Sequence, residues 1–260
     1  MLFAGAGLGC GGAAPQLYPA QPLPRGVTEF AAGMSAELPL GTMRQKIRRD
    51  HSAVTTAATP DRTLDAQAPA LESAVLDAAL GPGIAPWIAA RLGLGWHSET
   101  QLSYTGRRLR LGARRAIELQ DHLWASAGLG GSSLHAEPAQ GETHLRAEAM
   151  SGWGVDLPVV VGWQSRGQVV AVWGGLVAGF DRLGGHLAPG AEELTLERAY
   201  GGGLFGFSVG VEPVRARAEL AANYSDGRAR TQLQQGRETD AKIRLTGFSI
   251  APAVALAVEF

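Results

Sequence analysis

Lysine is almost missing from this chain: Lys46 and Lys242 are the only two, so nearly every positive charge is arginine. Cysteine is down to one, Cys10, which excludes an intramolecular disulfide framework and a zinc site built mainly on thiolates. Charge of either sign is scarce. Only 18% of the 260 residues are Asp, Glu, Lys or Arg, against roughly 25% in an ordinary soluble domain. The formal net charge of −1 excludes the strongly basic balance of a general nucleic-acid binder. No apolar run reaches the roughly 18 residues that a transmembrane helix needs. The six histidines, His51, His97, His122, His135, His144 and His186, show neither HxxxH nor HExxH spacing, and no P-loop is present. No metal and no cofactor is therefore expected. Two things are plentiful. Glycine makes up 36 residues, about twice the usual share, and 45% of the chain is hydrophobic, too much for a disordered polypeptide.

The hydrophobic residues alternate. From 248 to 260, large apolar side chains fall at Phe248, Ile250, Val254, Leu256, Val258 and Phe260, with Pro252 in the same register. Small or polar ones fall at Ser249, Ala251, Ala253, Ala255, Ala257 and Glu259. A period of two marks a strand with one apolar face. The same rhythm predicts ten strands, at about 27–39, 84–95, 97–106, 107–118, 122–130, 153–164, 168–181, 196–211, 213–225 and 242–260; eight or twelve would fit almost as well. The run 168–180 is apolar on both faces and leaves its register open. Short connections (near 96, 119–121, 165–167 and 212) alternate with long ones (40–83, 131–152, 182–195 and 226–241), apart from a tight link near Gly106. Short turns at one end and long loops at the other are the habit of membrane barrels. Closing strands into a ring is the only way to cross lipid with sheet, because each backbone polar group must then be paired within the protein. The second face carries Arg91, Glu99, Arg108, Arg110, Arg114, Asp156, Arg215, Arg217, Glu219 and Asn223. A charge facing lipid at mid-depth costs about 2–4 kcal/mol, so these residues are expected to line a lumen and pair across it. Trp96, Tyr104, Trp153, Trp163 and Tyr224 lie near strand ends, where interfacial aromatic girdles belong.

The final strand, apolar at every second position and ending in Phe260, resembles the C-terminal assembly signal of Gram-negative outer-membrane β-barrels. The last strand of a soluble β-sandwich would alternate in the same way. The resemblance implies an antiparallel up-and-down transmembrane barrel in the bacterial outer membrane. Its expected partners are outer-membrane lipid, the barrel-assembly machinery and other envelope proteins, with no nucleic acid. The start, a short apolar run that ends in Leu8-Gly9-Cys10, is similar to the end of a lipoprotein signal peptide, which implies lipid attachment at Cys10 with residues 1–26 serving as leader and tether to a 27–260 barrel domain. Gly7 departs from that pattern, and no basic residues precede the apolar run. The long 40–83 insert opens with the charged cluster Arg44, Lys46, Arg48, Arg49, Asp50 and His51. It shows helical spacing from 68 to 80, ended by Gly81-Pro82-Gly83.

The expected role is structural, an interaction barrel, or a narrow small-solute passage, because a ring of about ten strands is largely filled by its own side chains. Two alternatives stay open. A lipid-anchored soluble barrel similar to a lipocalin would turn the apolar face inward onto an apolar ligand. A barrel hydrolase acting on envelope lipid or peptide would need a His/Ser/acid cluster. His97-Ser98-Glu99 resembles the composition of the lipid-hydrolysing barrels, but neighbours on a strand point to opposite faces. Asp181 with His186, and Asp226 with Asp240, are placed in outer loops as omptin-type proteases place their acid–His pairs.

Overall fold

The computed structural model describes residues 14–41, 43–45, 81–136, 146–147, 150–188, 192–231 and 241–260. The strands are β1 Thr28–Pro39, β2 Gly83–Gly95, β3 Ser98–Tyr104, β4 Arg108–Gln120, β5 Leu123–Ala136, the two-residue β6 Arg146–Ala147, β7 Met150–Gln164, β8 Val170–Ala188, β9 Glu192–Val211, β10 Val214–Thr231 and β11 Ala241–Glu259. β6 pairs only with the top of β8 and continues the edge of β7, so the molecule has ten staves. Every long strand pairs antiparallel with its neighbour in the chain, β8 pairs with β9, and β1 pairs with β11. The ring is closed and has no free edge.

The register fixes the tilt. Followed round the ring, Glu29 leads through Arg91, Gln101, Gly112, Gly130, Asp156, Gly179, Tyr200 and Ser225 to Gly247, which stands at the level of residue 41 on β1. One circuit therefore climbs twelve residues, 29 to 41. That is a slide of about 40 Å set against a girth of about 47 Å, and hence a tilt of about 40°.

The polarity is inside out. On β11, Ser249, Ala251, Ala253, Ala255 and Ala257 are buried, while Phe248, Val254, Leu256 and Phe260 are exposed. The same division runs round the wall. Phe30, Met34, Ile88, Leu102, Leu111, Leu157, Leu176, Phe205, Val209 and Leu220 point out, and the charged alternates point in. On β4, Arg115 breaks this outer band opposite Ser98, close enough to the short-turn rim for its long stem to carry the charge there. A soluble barrel with an apolar lumen requires the reverse distribution. In β8 the doubly apolar run resolves with Ala171, Trp173 and Asp181 inward and Leu176 outward.

Five strands run further toward the long-loop end than the sequence alternation indicates: β5 to 136, β7 from 150, β8 to 188, β9 from 192 and β10 to 231. The physical reason lies on the outer face. On β10 the outward residues run Leu220, Ala222, Tyr224 and then Asp226, Arg228 and Arg230; on β8, Phe180 is followed by Arg182. Above the aromatic residues the outer face is charged while the inner face holds Leu183, Leu194, Leu196 and Ala229, so the apolar-out alternation ends although the ladder continues. Asp181, expected in a loop, accordingly sits inside β8. The helical spacing at 68–80 lies outside the described residues; the two ends of the insert are described, and at its start Met43 is buried against Gly247.

Candidate functional site

Where the sequence reading makes residues 11–26 a tether, Ala14 to Pro24 run down inside the barrel toward the short turns. Gln16, Leu17, Tyr18, Ala20 and Leu23 are all buried. The segment leaves at the short-turn rim, where Gly26 donates its N–H to the Gly93 carbonyl (2.9 Å) before β1 begins. Composition makes this possible. Pro15, Pro19, Pro22 and Pro24 have no N–H, which removes donors that a dry lumen would have to satisfy. Three of the remaining N–H groups meet carboxylates on the wall: Gln16 and Leu17 donate to Glu219 at 2.9 Å each, and Leu23 donates to Glu99 at 2.9 Å. In return Arg217 donates to the Leu17 carbonyl (3.2 Å) and Arg114 to that of Gln21 (3.2 Å). The Tyr18 ring lies under the Arg114 and Arg91 guanidinium groups, 4.1 and 5.3 Å away. Its hydroxyl bonds Gln16. Gly93 is required here, because a Cβ at that position would stand 1.9 Å from the Pro24 carbonyl oxygen.

The wall around the segment is layered. Nearest the short turns, Glu99 accepts from Arg91 (2.6 Å) and Arg114 (2.8 Å), while Glu29 accepts from Arg91 (2.9 Å) and Arg217. Arg215 is buried beside them, 3.3 Å from Glu259 and bonded to Gln168. The middle layer is apolar. Leu17 packs with Trp87 and a row of alanines, and Ala20 packs with Trp124, Val160 and Trp173. Trp173 donates its indole N–H to Glu219 (3.1 Å). In the upper layer Arg110 forks onto Asp156 (2.6 and 2.7 Å), and Asp181 takes both Arg108 (2.7 Å) and Arg198 (2.6 Å) beside Tyr200.

Arg91, Glu99, Arg108, Arg110, Arg215, Arg217 and Glu219 thus occupy one continuous interior with Glu29, Arg114, Asp156, Asp181 and Arg198. The period of two marks Glu29, Arg114 and Asp156 as inward in the same way. Tyr18 gives no such signal, because its segment has no strand periodicity.

Gly206 sets the position of the central tryptophan. A Cβ there would lie 2.3 Å from the Trp173 indole, a rigid ring that cannot bend aside. Gly206→Ala is expected to push the ring off Glu219 at a cost of about 1–3 kcal/mol, the usual penalty of overpacking. Urea unfolding of the detergent-solubilised protein checks this, and an unchanged midpoint would show that the ring has room to move.

The hydrolytic arrangements do not assemble. His97 lies in the β2–β3 turn and stacks edge-on against Trp124 (5.1 Å), the Ser98 hydroxyl turns to the Trp96 carbonyl, and Glu99 points into the lumen. Asp181 is buried in its arginine pair, whereas His186 is exposed. Asp226 faces Arg244 on the outside; Asp240, like Cys10, lies outside the described residues. Among the described residues, no three His, Cys, Asp or Glu side chains group as metal ligands.

Two solved structures to which the chain is similar are Neisserial surface protein A (10% identity over 91% of this chain and 100% of that one, TM-score 0.35) and a major outer membrane protein from Thermus thermophilus (11% identity over 90% and 99%, TM-score 0.36). No protein-family model and no curated protein sequence matches the chain.

Proposed function

We propose that this chain is an integral outer-membrane β-barrel with a structural or interaction role in the closed form described above. The observation that carries the reading is the switch in outer-face polarity along the strands. Below Tyr224, Phe248, Trp153 and Phe180 the outer face is apolar; above them it carries Asp226, Arg228, Arg182 and Glu197. Tyr224 packs on Phe248 (5.0 Å) and Trp153 on Phe180 (5.8 Å), while Phe30 and Phe260 meet at the other rim (6.0 Å) near Trp96 and Trp163. Trp153 and Trp163 both point outward on β7. Ten residues at roughly 3.3 Å, tilted by about 40°, put about 25 Å of height between them, the height of a membrane barrel's apolar band. A water-soluble monomer does not expose apolar surface on that scale. The segment inside the lumen favours a structural or interaction role over an open porin, and both cavities beside it are lined by charged groups that do not suit an apolar ligand.

Membrane preparations run boiled and unboiled test this. The unboiled chain is expected to migrate differently from the boiled one and to leave the membrane only with detergent. A chain with a single mobility that washes off in buffer would end the membrane reading.

A further inference from the structure

We infer that residues 14–24 are a displaceable plug and that the barrel is a closed passage for small hydrated ions. The inference rests on the membrane reading above and adds a regulated activity to it. Three observations carry it.

The first is that the wall is nearly self-sufficient. Its interior charges pair among themselves: Arg91 with Glu29 and Glu99, Arg114 with Glu99, Arg217 with Glu29, Arg110 with Asp156, and Arg108 and Arg198 with Asp181. None of those pairs needs the segment. Glu219 is different: its hydrogen bonds are to the Gln16 and Leu17 amides and to Trp173, so it is the carboxylate that holds the segment rather than an arginine.

The second is that the segment is gripped mainly through its backbone. Glu99 and Glu219 accept three main-chain N–H groups, and Arg114 and Arg217 donate to two main-chain carbonyls. Such a seat holds an extended, proline-rich strand and releases it without breaking any covalent link or any strand pairing of the ring.

The third is that the lumen is hollow on both sides of the segment. A cavity of about 300 Å³ lies toward the short turns, between Pro19–Pro24 and Arg215, Gln164 and Phe260. Another of about 100 Å³ lies toward the long loops, between Ala14–Gln16 and Arg108, Asp181 and Tyr200. What separates them is a thin septum in which Leu17 and Ala20 close against Trp87, Trp124 and Trp173. Withdrawal of the segment joins the two cavities through a stretch where Trp87, Trp124 and Trp173 stand beside Glu219, and the passage opens below onto Glu29, Glu99, Arg91, Arg114 and Arg217, charges that suit small ions in water.

Leu17→Asp in the full-length protein tests the inference, because it changes the plug and leaves the wall untouched. It sets a carboxylate into the Trp87 and alanine pocket beside Glu219, where burial and like charge both expel it. In planar bilayers bathed in potassium chloride, the wild type is expected to be silent and the variant to conduct in discrete steps. A synthetic peptide of residues 14–25 (Ala-Pro-Gln-Leu-Tyr-Pro-Ala-Gln-Pro-Leu-Pro-Arg) is expected to close the variant again, and a scrambled peptide is not. In a Cys10→Ser background, Ala20→Cys should resist a water-soluble maleimide and become labelled once Leu17→Asp is added.

A heat-modifiable variant that stays silent with Ala20→Cys unlabelled overturns the inference. So does a wild type that conducts like the variant, or a variant that conducts but ignores the peptide. A variant that no longer forms a heat-modifiable barrel would make the segment a fixed part of the fold and overturn it as well. Loss of heat-modifiability in the wild type itself strikes the membrane reading instead, and the Ala20→Cys labelling then decides the plug by itself.

Discussion

Glu99→Ala is expected to cost the folded barrel about 3–5 kcal/mol, the penalty for breaking a buried ion network from one side. Glu99 accepts from Arg91 twice, from Arg114 and from the Leu23 amide. Its removal leaves the buried Arg114 guanidinium without a carboxylate and Arg91 with Glu29 alone. The loss comes from the stranded cations more than from the missing attraction. Glu99→Ala combined with Arg114→Ala is therefore expected to be less destabilised than the sum of the two single changes. Glu99→Gln, which keeps the shape but not the charge, should fall in between. The denaturant midpoint of the solubilised protein, or the temperature at which the gel shift disappears, reads all four. Additive losses would mean that water reaches this layer and solvates each group separately.

Leu157→Arg gives the second large effect, and its sign identifies the solvent outside the wall. Leu157 is half exposed on β7, between Trp153 and Trp163. In a bilayer an arginine at that depth costs about 2–4 kcal/mol. In water the same change, which removes exposed apolar surface, is close to neutral, as surface substitutions usually are within about 0.5 kcal/mol. Arg182→Ala on the neighbouring strand, across from Trp153 and one outward position beyond Phe180, serves as the comparison, with little effect expected in either solvent. Folding yield into lipid vesicles and the unfolding midpoint in them measure both. A neutral Leu157→Arg in vesicles would mean that the band is not a lipid contact.

The ring was legible because alternation survives wherever one face meets apolar surroundings and the other meets charge. β11 shows this best, with alanines inside and Phe248 to Phe260 outside. Arg91, Arg110 and Arg217 fall inside by the same arithmetic of two. Legibility failed in two places for two reasons. At the tops of β8 and β10 the outer face turns charged, so the apolar-out alternation stops and Asp181 reads as a loop residue although it lies in the ladder. Along 168–180 both faces are apolar, because the inward Trp173 packs on Ala20 and gives only its indole N–H to Glu219. The plug was illegible for a third reason. An extended proline-rich segment has no helical or strand period, and its partners, Glu99 and Glu219, lie far along the chain.

The pairing of β1 with β11 also bears on the order of assembly. It joins the two most distant strands of the ring, a contact with a large loop-closure cost, and non-local pairings of this kind form slowly. The plug immediately precedes β1. While β1 and β11 are apart the wall is an open, curved sheet, and the segment can lie across Glu99 and Glu219 from the side. Once they zip together, it can enter or leave only lengthwise, through a rim. Closure of the seam therefore leaves the rim as the way in and out, so exchange of the segment is slower in the closed ring than in the open sheet although no strand pairing has to break.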